Sequence, residues 1–255
     1  MLSKSELKYY SSLLTKKFRV KENKFIVEGK KILQEAIQTN YLCEIVIITN
    51  EFAENEKSYL KSIPQNIRIE IVKNSGFQKL KDTVSPQGIV AVFKKIAGQV
   101  QDIQKFEDKF LICLDNISDP GNLGTILRNC DWFGFQEVLL SGNCAELFNP
   151  KTIRASMGSI FHLNILENIS QEDIAKLKRK SYKIICSDIS GEDLYSAAFT
   201  NNSMLVFSNE ANGPSQGILI LADKRITIAS YGKAESLNVA SASAVILSHI
   251  RKNII

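Results

Sequence analysis

The sequence predicts an α/β protein with a parallel sheet in its second half. Two apolar runs in the last third, 204–207 and 226–229, are short enough to be buried parallel strands, and each ends in small or polar residues. Elsewhere, short apolar runs alternate with stretches of helical periodicity. With 255 residues, 44% hydrophobic content, 13 Gly and 5 Pro, the chain is long enough for one large globular domain or two ordinary ones.

Residues 1–96 form the first predicted domain, a small α/β unit of the usual size for an independent domain. Periodicity fades over 97–108, which predicts a linker. The predicted helices of this domain are 3–17, 29–38 and 51–60, and its predicted strands are 25–27, 44–48, 67–72 and 88–93.

Residues 109–255 form the second predicted domain. The apolar strand 110–114 leads directly into a glycine-bearing turn and a helix, a geometry that gathers ligands at the carboxyl ends of a parallel sheet. The last helix opens with the small residues 240–244, which predict close packing on more than one side. Further predicted strands are 137–140, 163–166, 182–186, 204–207 and 225–229, with helices near 122–133, 151–157, 171–180 and 236–251.

Basic residues concentrate in the first part of the chain. Residues 1–105 contain 18 Lys and Arg against 11 Asp and Glu, whereas residues 106–255 contain 14 against 16. This split predicts polyanion binding by the first domain and chemistry in the second. A solvated lysine-rich helix face would give the same composition, so that alternative stays open.

The five cysteines are odd in number, widely spaced and never in a C-x-x-C pair, so the sequence indicates neither a disulfide framework nor a zinc site. No run of eighteen apolar residues occurs, and no apolar segment of a secretory signal follows the N-terminus. We therefore expect a soluble cytoplasmic protein with no membrane segment and no metal.

Two further segments contain polar residues of the kind that form binding sites. Asp119-Pro-Gly-Asn-Leu-Gly-Thr lacks the Lys-Ser/Thr of a phosphate loop and the spacing of a dinucleotide fold, and helix entry alone would explain its Pro and Gly. Arg128 follows an apolar pair in that helix, where a partly buried guanidinium requires a polar or anionic partner. Residues 149–159 predict a short polar helix or a loop.

Taken together, these segments closely resemble, in order and spacing, the three motifs of the SpoU (TrmH) branch of the SPOUT RNA methyltransferases. The first domain is also similar to the RNA-binding extension of that family, so the resemblance covers nearly the whole chain. The matching segments are Asn116-Ile-Ser-Asp-Pro-Gly-Asn-Leu-Gly-Thr-Ile-Leu-Arg with Phe133-Gly134, Arg154-Ala-Ser-Met-Gly-Ser, Asn209-Glu210 with Gly213, and Glu235-Ser-Leu-Asn-Val-Ala.

The resemblance implies a C-terminal α/β domain threaded into a deep trefoil knot, which periodicity alone does not show. It implies S-adenosylmethionine as the cofactor, a homodimer formed through the knotted domain, and a 2′-O-methylated ribose in RNA as the product. Ribosomal RNA is favoured over tRNA as the substrate. Shape and phosphate contacts dominate RNA recognition, and the sequence contains no visible base-reading code that would identify the nucleotide.

The resemblance also assigns roles to individual residues. Ser236 is expected both to cap the last helix and to face the cofactor pocket. The implied catalytic residues are Asn122, Arg128, Glu210 and Asn238. The implied cofactor-binding residues are Ser208, Asn209, Gly213, Ile228, Gly232, Ser236, Leu237 and Asn238, and the implied RNA-binding residues are Lys16, Lys17, Arg19, Lys24, Lys30 and Arg154.

Two positions depart from the family pattern. Ser208 stands where the family usually has Gly, and Ala229 stands where it usually has Pro, so each change bears on cofactor affinity. A catalytically inactive RNA-binding protein of the same fold is therefore the alternative function. A small-molecule or protein methyltransferase is disfavoured by the basic first domain.

The chemistry of methyl transfer narrows the role of Arg128. A sulfonium already has a good leaving group, so positioning dominates the rate, and with only His162 and His249 in the chain a histidine base is poorly supported. The resemblance assigns the base role to Arg128, but arginine guanidinium groups are not deprotonated in proteins. We expect Arg128 to stabilise the phosphate or the developing alkoxide, with a base role left open.

Overall fold

The computed structural model describes residues 2–95, 103, 109–209 and 213–254. Within these ranges the chain divides into two compact units. Residues 2–95 and 146–161 form the N-terminal unit, and residues 109–145 and 162–254 form the C-terminal unit. Residues 146–161, which the predicted boundaries place in the second domain, thus pack with residues 2–95. The predicted linker lies outside the described residues except for Ile103, which is buried in the core of the C-terminal unit.

The N-terminal unit is built around a four-stranded mixed sheet of order β1-β4-β2-β3. Strands β1 and β2 each pair antiparallel with β4, and β2 pairs parallel with β3. The elements are α1 (Lys4–Ser12), α2 (Lys16–Glu22), β1 (Lys24–Glu28), α3 (Lys30–Ile37), β2 (Leu42–Thr49), α4 (Asn50–Asn55), α5 (Lys57–Ser62), β3 (Ile69–Val72), α6 (Asn74–Phe77), β4 (Ile89–Lys94) and α8 (Pro150–Ser156).

The predicted elements of this unit are largely confirmed, and the differences have local causes. The predicted helix 3–17 is two helices, because Thr15 has extended backbone angles and begins α2. The predicted helix 51–60 is likewise interrupted at Glu56, which leaves the helical region. Helix α1 starts where Ser3 and Glu6 form a capping box. The four-residue helix α6 was not predicted, because so short a helix has no periodicity to detect.

The C-terminal unit contains the predicted parallel sheet, with six strands in the order β10-β8-β9-β5-β6-β7. All of its strand pairs are parallel. Its elements are β5 (Leu111–Asp115), α7 (Pro120–Trp132), β6 (Glu137–Ser141), β7 (Asn164–Ile169), α9 (Gln171–Arg179), β8 (Lys183–Asp193), β9 (Ser203–Ser208), α10 (Gln216–Leu221), β10 (Lys224–Thr227) and α11 (Val239–Asn253).

The register of the central strands positions the site. Strands β5 and β9 are completely buried, as their continuous apolar runs predict. They pair from Leu111 opposite Met204 to Asp115 opposite Ser208, so both strands end at the same edge of the sheet. Strand β8 extends well beyond its predicted end, and the short helix α10 was not predicted. No helix within the described ranges is both long and apolar enough to cross a membrane.

A buried ion pair joins α2 to the 146–161 segment inside the N-terminal unit. The Arg19 side chain donates to both carboxylate oxygens of Glu146, at 2.9 Å and 2.5 Å, and to the carbonyl oxygen of Leu13 at 2.9 Å. Arg19 is only 1% exposed. Near this pair, the ring of Phe148 stacks on Phe25 with centroids 4.3 Å apart. Residues 146–161 are therefore held by both apolar and charged contacts.

This pair predicts a pattern of stability in two variants. Arg19→Met should destabilise the protein by about 3–5 kcal/mol because it leaves the Glu146 carboxylate buried without a partner, whereas Arg19→Met/Glu146→Leu should recover most of that loss. Urea-induced unfolding measures both changes. Arg68→Met, which removes the ion pairs of an exposed arginine with Glu6 and Glu70, is the matched control and should change stability little. Equal losses in the single and double variants would contradict the prediction.

Candidate active site

The loop after β5 is shaped by local hydrogen bonds. Asn116 adopts a left-handed conformation with φ of 59°, and its amide donates to the hydroxyl of Ser141 at 3.0 Å. The Asp119 carboxylate then accepts from the amide of Asn122 at 2.8 Å and caps α7, while Pro120 occupies the first turn. The helix-entry interpretation of this segment is therefore confirmed, and the same caps fix the position of Asn122.

Asn238 connects the start of α11 to the start of α7. Its side-chain oxygen accepts from the amides of Ala240 and Ser241, at 3.0 Å and 3.3 Å, and its side-chain nitrogen donates to the Asn122 oxygen at 3.1 Å. The prediction that Ser236 caps this helix is wrong, because Asn238 is the capping residue and Ser236 is exposed two residues earlier. The structure thus brings together two of the predicted catalytic residues.

Further polar groups meet where β5 and β9 end. The side-chain nitrogen of Asn209 donates to the hydroxyl of Ser118 at 3.3 Å. The Asp115 carboxylate, which is buried, accepts from the amide of Ser215 at 3.0 Å. Among the described residues the buried hydroxyl of Ser208 has no hydrogen-bond partner. These contacts link the loop after β5 to both sides of residues 210–212.

Several predicted site residues lie outside this hydrogen-bonded group. Glu210 lies outside the described residues. Gly213 has φ of +62°, and a β-carbon added there would meet no described heavy atom within 4 Å apart from its chain neighbours, so the backbone is open. Ile228 is half-buried, whereas residues 231–238, which include Gly232, Ser236 and Leu237, are all exposed. The segment between β10 and α11 therefore presents its backbone to solvent.

Arg128 lies on the surface of α7. It is exposed and makes no hydrogen bond or ion pair with any residue that the structure describes. Because the guanidinium is exposed and not partly buried, it does not require the polar or anionic partner that the sequence predicted. Its neighbour Asn129 instead donates to the carbonyl of Ala240 and the hydroxyl of Ser243, at 3.0 Å and 2.9 Å, and so packs α7 on α11. Arg128 is available to an external anion.

The predicted RNA-binding residues differ in availability. Lys16 and Lys17 are exposed. Lys24 Nζ lies 2.5 Å from a Glu44 oxygen, Lys30 Nζ lies 2.6 Å from Glu56, and an Arg154 nitrogen lies 2.6 Å from Asp82. Arg19 requires a correction, because its guanidinium is buried against Glu146 and cannot reach a phosphate without breaking that pair.

The remaining reactive groups do not form a second catalytic cluster in the described ranges. Nδ1 of His162 lies 2.9 Å from Asp131, and His249 packs edge-on against Tyr195. Burial raises the pKa of the Cys186 thiol to about 12, and all five cysteines are free. No group of three His, Cys, Asp or Glu residues in the described part of the chain is arranged to hold a metal.

Sequence reasoning missed Asp115, Ser118 and Asn129. The signal for Asp115 was present, since it ends a buried strand directly before the glycine-bearing turn. Ser118 and Asn129 had no comparable signal, because their partners are 91 and 114 residues away in the sequence.

Comparison with known proteins finds relatives that match along nearly the whole chain. The chain is 28% identical over 247 residues to the 23S rRNA (guanosine(2553)-2'-O)-methyltransferase RlmP of Bacillus subtilis, covering 96% of each. A putative TrmH-family RNA methyltransferase from Porphyromonas gingivalis is 30% identical with a TM-score of 0.85, covering 99% of both chains. AviRb from Streptomyces viridochromogenes, solved with AdoMet, has the same fold, with a TM-score of 0.86, 23% identity and 98% coverage of both chains.

Family comparison covers both halves of the chain. Residues 4–91 match the MRM3-like substrate binding domain. Residues 109–248, more than half of the chain, match the SpoU rRNA Methylase family. This second match includes the loop after β5, the end of β9 and the start of α11. The chain therefore belongs to the SpoU rRNA methylase family.

Proposed function

We propose that this protein transfers the methyl group of S-adenosylmethionine to a ribose 2′-hydroxyl of ribosomal RNA. The observation that carries the proposal is the family match of residues 109–248, which contain the Asn122–Asn238 contact at the end of the sheet. A relative that matches along nearly its whole length is named as a 23S rRNA guanosine 2′-O-methyltransferase. Ribosomal RNA is therefore favoured over tRNA.

The residues at the strand ends fit the cofactor. S-adenosylmethionine has adenine, ribose and amino-acid groups that need hydrogen bonds, and Ser208 offers a buried hydroxyl with no partner in the described ranges. The open space beside Gly213 and the exposed segment 231–238 leave room for the cofactor. When bound, the cofactor supplies an electrophilic methyl group on a sulfonium. The residues that would hold it are Ser208, Asn209, Gly213, Ile228, Gly232, Ser236, Leu237 and Asn238.

The guanidinium of Arg128 provides a positive charge that would stabilise negative charge on the reacting groups. A ribose hydroxyl is a weak acid, and negative charge develops on its oxygen as the hydroxyl proton is lost to solvent, before or during attack of that oxygen on the methyl carbon. A guanidinium stabilises that charge or the neighbouring phosphate through charge-assisted hydrogen bonds and remains protonated throughout. The Asn122 side chain, held by its contact with Asn238, would orient the reacting groups near the start of α7. Glu210, which follows β9 in the sequence, is the remaining proposed catalytic residue.

We further propose that this chain has a two-domain organisation, a knot, a homodimer and a cytoplasmic location. Residues 1–96 would serve as the RNA-binding domain and residues 109–255 as the catalytic domain. We propose the trefoil knot on the family match of residues 109–248. We propose a homodimer through the C-terminal unit on the same family match. Free cysteines support a cytoplasmic location.

Cofactor binding separates the enzyme from an inactive protein of the same fold. Saturating S-adenosylmethionine should raise the melting temperature by several degrees, because about 100 times the dissociation constant adds ~2.7 kcal/mol. Asn238→Ala should reduce this ligand-induced shift, whereas Asn253→Ala, at the other end of α11, should keep it. No shift in the wild-type protein would favour the inactive alternative.

The role of Arg128 is tested by two substitutions. Arg128→Ala should lower the rate of RNA methylation on the order of 10²-fold or more while hardly changing cofactor affinity, because the contact forms mainly in the transition state. Arg128→Lys should restore little activity at any pH, since lysine lacks the planar fork. A lysine acting as a base would instead gain activity as pH rises toward its pKa of ~10.

Arg179→Ala is the matched control for these variants, because Arg179 is another exposed arginine of the C-terminal unit. It should methylate RNA normally. Near-wild-type methylation by Arg128→Ala, measured by mass spectrometry of nucleoside digests, would remove Arg128 from the mechanism.

RNA affinity should depend on Lys16 and Lys17, two exposed lysines of α2. Lys16→Ala/Lys17→Ala should weaken RNA binding and reduce the slope of log affinity against log salt by about 1.4–1.8, since each lost phosphate contact contributes about 0.7–0.9. Lys57→Ala/Lys61→Ala, two exposed lysines of α5, are the control. Deleting residues 1–95 is a poorer test, because it would uncover the buried side chains of Phe148 and Ile153. An unchanged slope would leave these lysines as solvated surface.

A further inference from the structure

The N-terminal unit contains a polar cleft of about 310 Å³ at the ends of β2 and β3. Thr49 ends β2, and Asn74 follows β3 at the start of α6. Gly88, directly before β4, completes the floor with the buried side chains of Phe52 and Phe77. At this volume the cleft is at the lower end of the range of small-molecule sites, about 300–1,000 Å³. It therefore suits one small planar group better than an extended chain.

The floor of the cleft requires glycine. Gly88 has φ of +83°, and a β-carbon there would lie 2.7 Å from Oγ1 of Thr49 and 3.3 Å from Cβ of Phe52. A side chain at this position would be strained and would also fill the space. The lack of a side chain at Gly88 therefore keeps the cleft open.

Four side-chain amides line the cleft, and three of them have no hydrogen-bond partner among the described residues. Asn55, Asn74 and Gln78 are exposed and make no side-chain hydrogen bond within the described ranges. The oxygen of Gln87 accepts from the amide of Lys30 at 2.9 Å, which leaves its nitrogen as the donor. Amides that present a donor and an acceptor side by side match the edges of nucleobases.

The charges around the cleft disfavour phosphate. Glu51 and Glu56 are both in the lining, and the nearby cation Lys30 is neutralised by its 2.6 Å contact with Glu56. Glu51 has no ion pair with any residue that the structure describes, so its carboxylate can accept from an amino group. Carboxylates and amides together are the groups that pair with bases bearing an exocyclic amine.

We propose that this cleft binds one unpaired RNA base that bears an exocyclic amino group, with Asn74, Gln78 and Glu51 contacting its edge. The inference rests on the proposed RNA substrate and adds a base-reading site to it. Single-stranded bases are the parts of RNA whose edges proteins can read, whereas the lysines of α2 contact backbone. Base contacts and phosphate contacts would then be made by different parts of the N-terminal unit.

The test measures binding of the full chain, without cofactor, to two RNA octamers. One octamer contains adenosine throughout, and the other contains purine riboside, which lacks only the exocyclic amine. The wild-type protein should bind the adenosine octamer about tenfold more tightly, which lies within the ~1–3 kcal/mol of a good base contact. Asn74→Ala/Gln78→Ala and Glu51→Ala should each reduce that ratio toward one while leaving the salt slope unchanged, because no phosphate contact is lost.

The controls separate this proposal from folding and from the methyltransferase activity. Gln65→Ala/Asn66→Ala, which changes exposed amides elsewhere in the unit, should keep the full ratio. The cleft variants remove no internal hydrogen bond among the described residues, so their melting temperatures should match that of the wild type. Equal binding of both octamers by the wild type, or a ratio retained in both cleft variants, would overturn the proposal. If the wild-type protein did not methylate RNA but still bound the adenosine octamer more tightly than the purine riboside octamer, the proposed function would be contradicted and the proposed base site would not.

Discussion

The site of the C-terminal unit depends on the side chain of Asn238. One end of its amide caps α11 and the other bonds Asn122 at the start of α7. Because α7 follows β5 and α11 ends the chain, this one residue fixes two elements that are far apart in sequence. Asn129 makes a second connection farther along α7, to Ala240 and Ser243. Small residues in α11 are required there, since the amide of Asn129 approaches its backbone.

The parallel sheet supplies the setting for these contacts. Strands β5 and β9 end in register, so the loops that follow them start beside each other and their polar groups meet. Asp115 and Ser208 are the last residues of the two strands, and both are buried. The Asp115 carboxylate has a backbone partner, whereas the buried Ser208 hydroxyl beside it has none among the described residues. A buried polar group without a partner costs free energy, so this arrangement fits a site that completes its hydrogen bonds through a ligand.

In the N-terminal unit, several basic residues do not present a free positive charge at the surface. Arg19 is buried against Glu146, and Lys24, Lys30 and Arg154 each contact a carboxylate. The excess positive charge is therefore presented by fewer side chains than the sequence contains, such as Lys16 and Lys17. A surface with few cations would bind phosphate and provide affinity, whereas the separate cleft lined by amides would distinguish the base.

The amino-acid sequence by itself determined the α/β class, the parallel sheet, most helices and strands, and the family motifs, because these depend on local periodicity, turn residues and spacing. The resemblance of its motifs to the family implied that Asn122, Asn209 and Asn238 are site residues. Only the tertiary structure decided what they contact, that Asn238 and not Ser236 caps α11, and that Arg19 is buried. The physical reason is that burial and hydrogen-bond partners depend on residues distant in sequence, as Arg19 and Glu146, 127 positions apart, show.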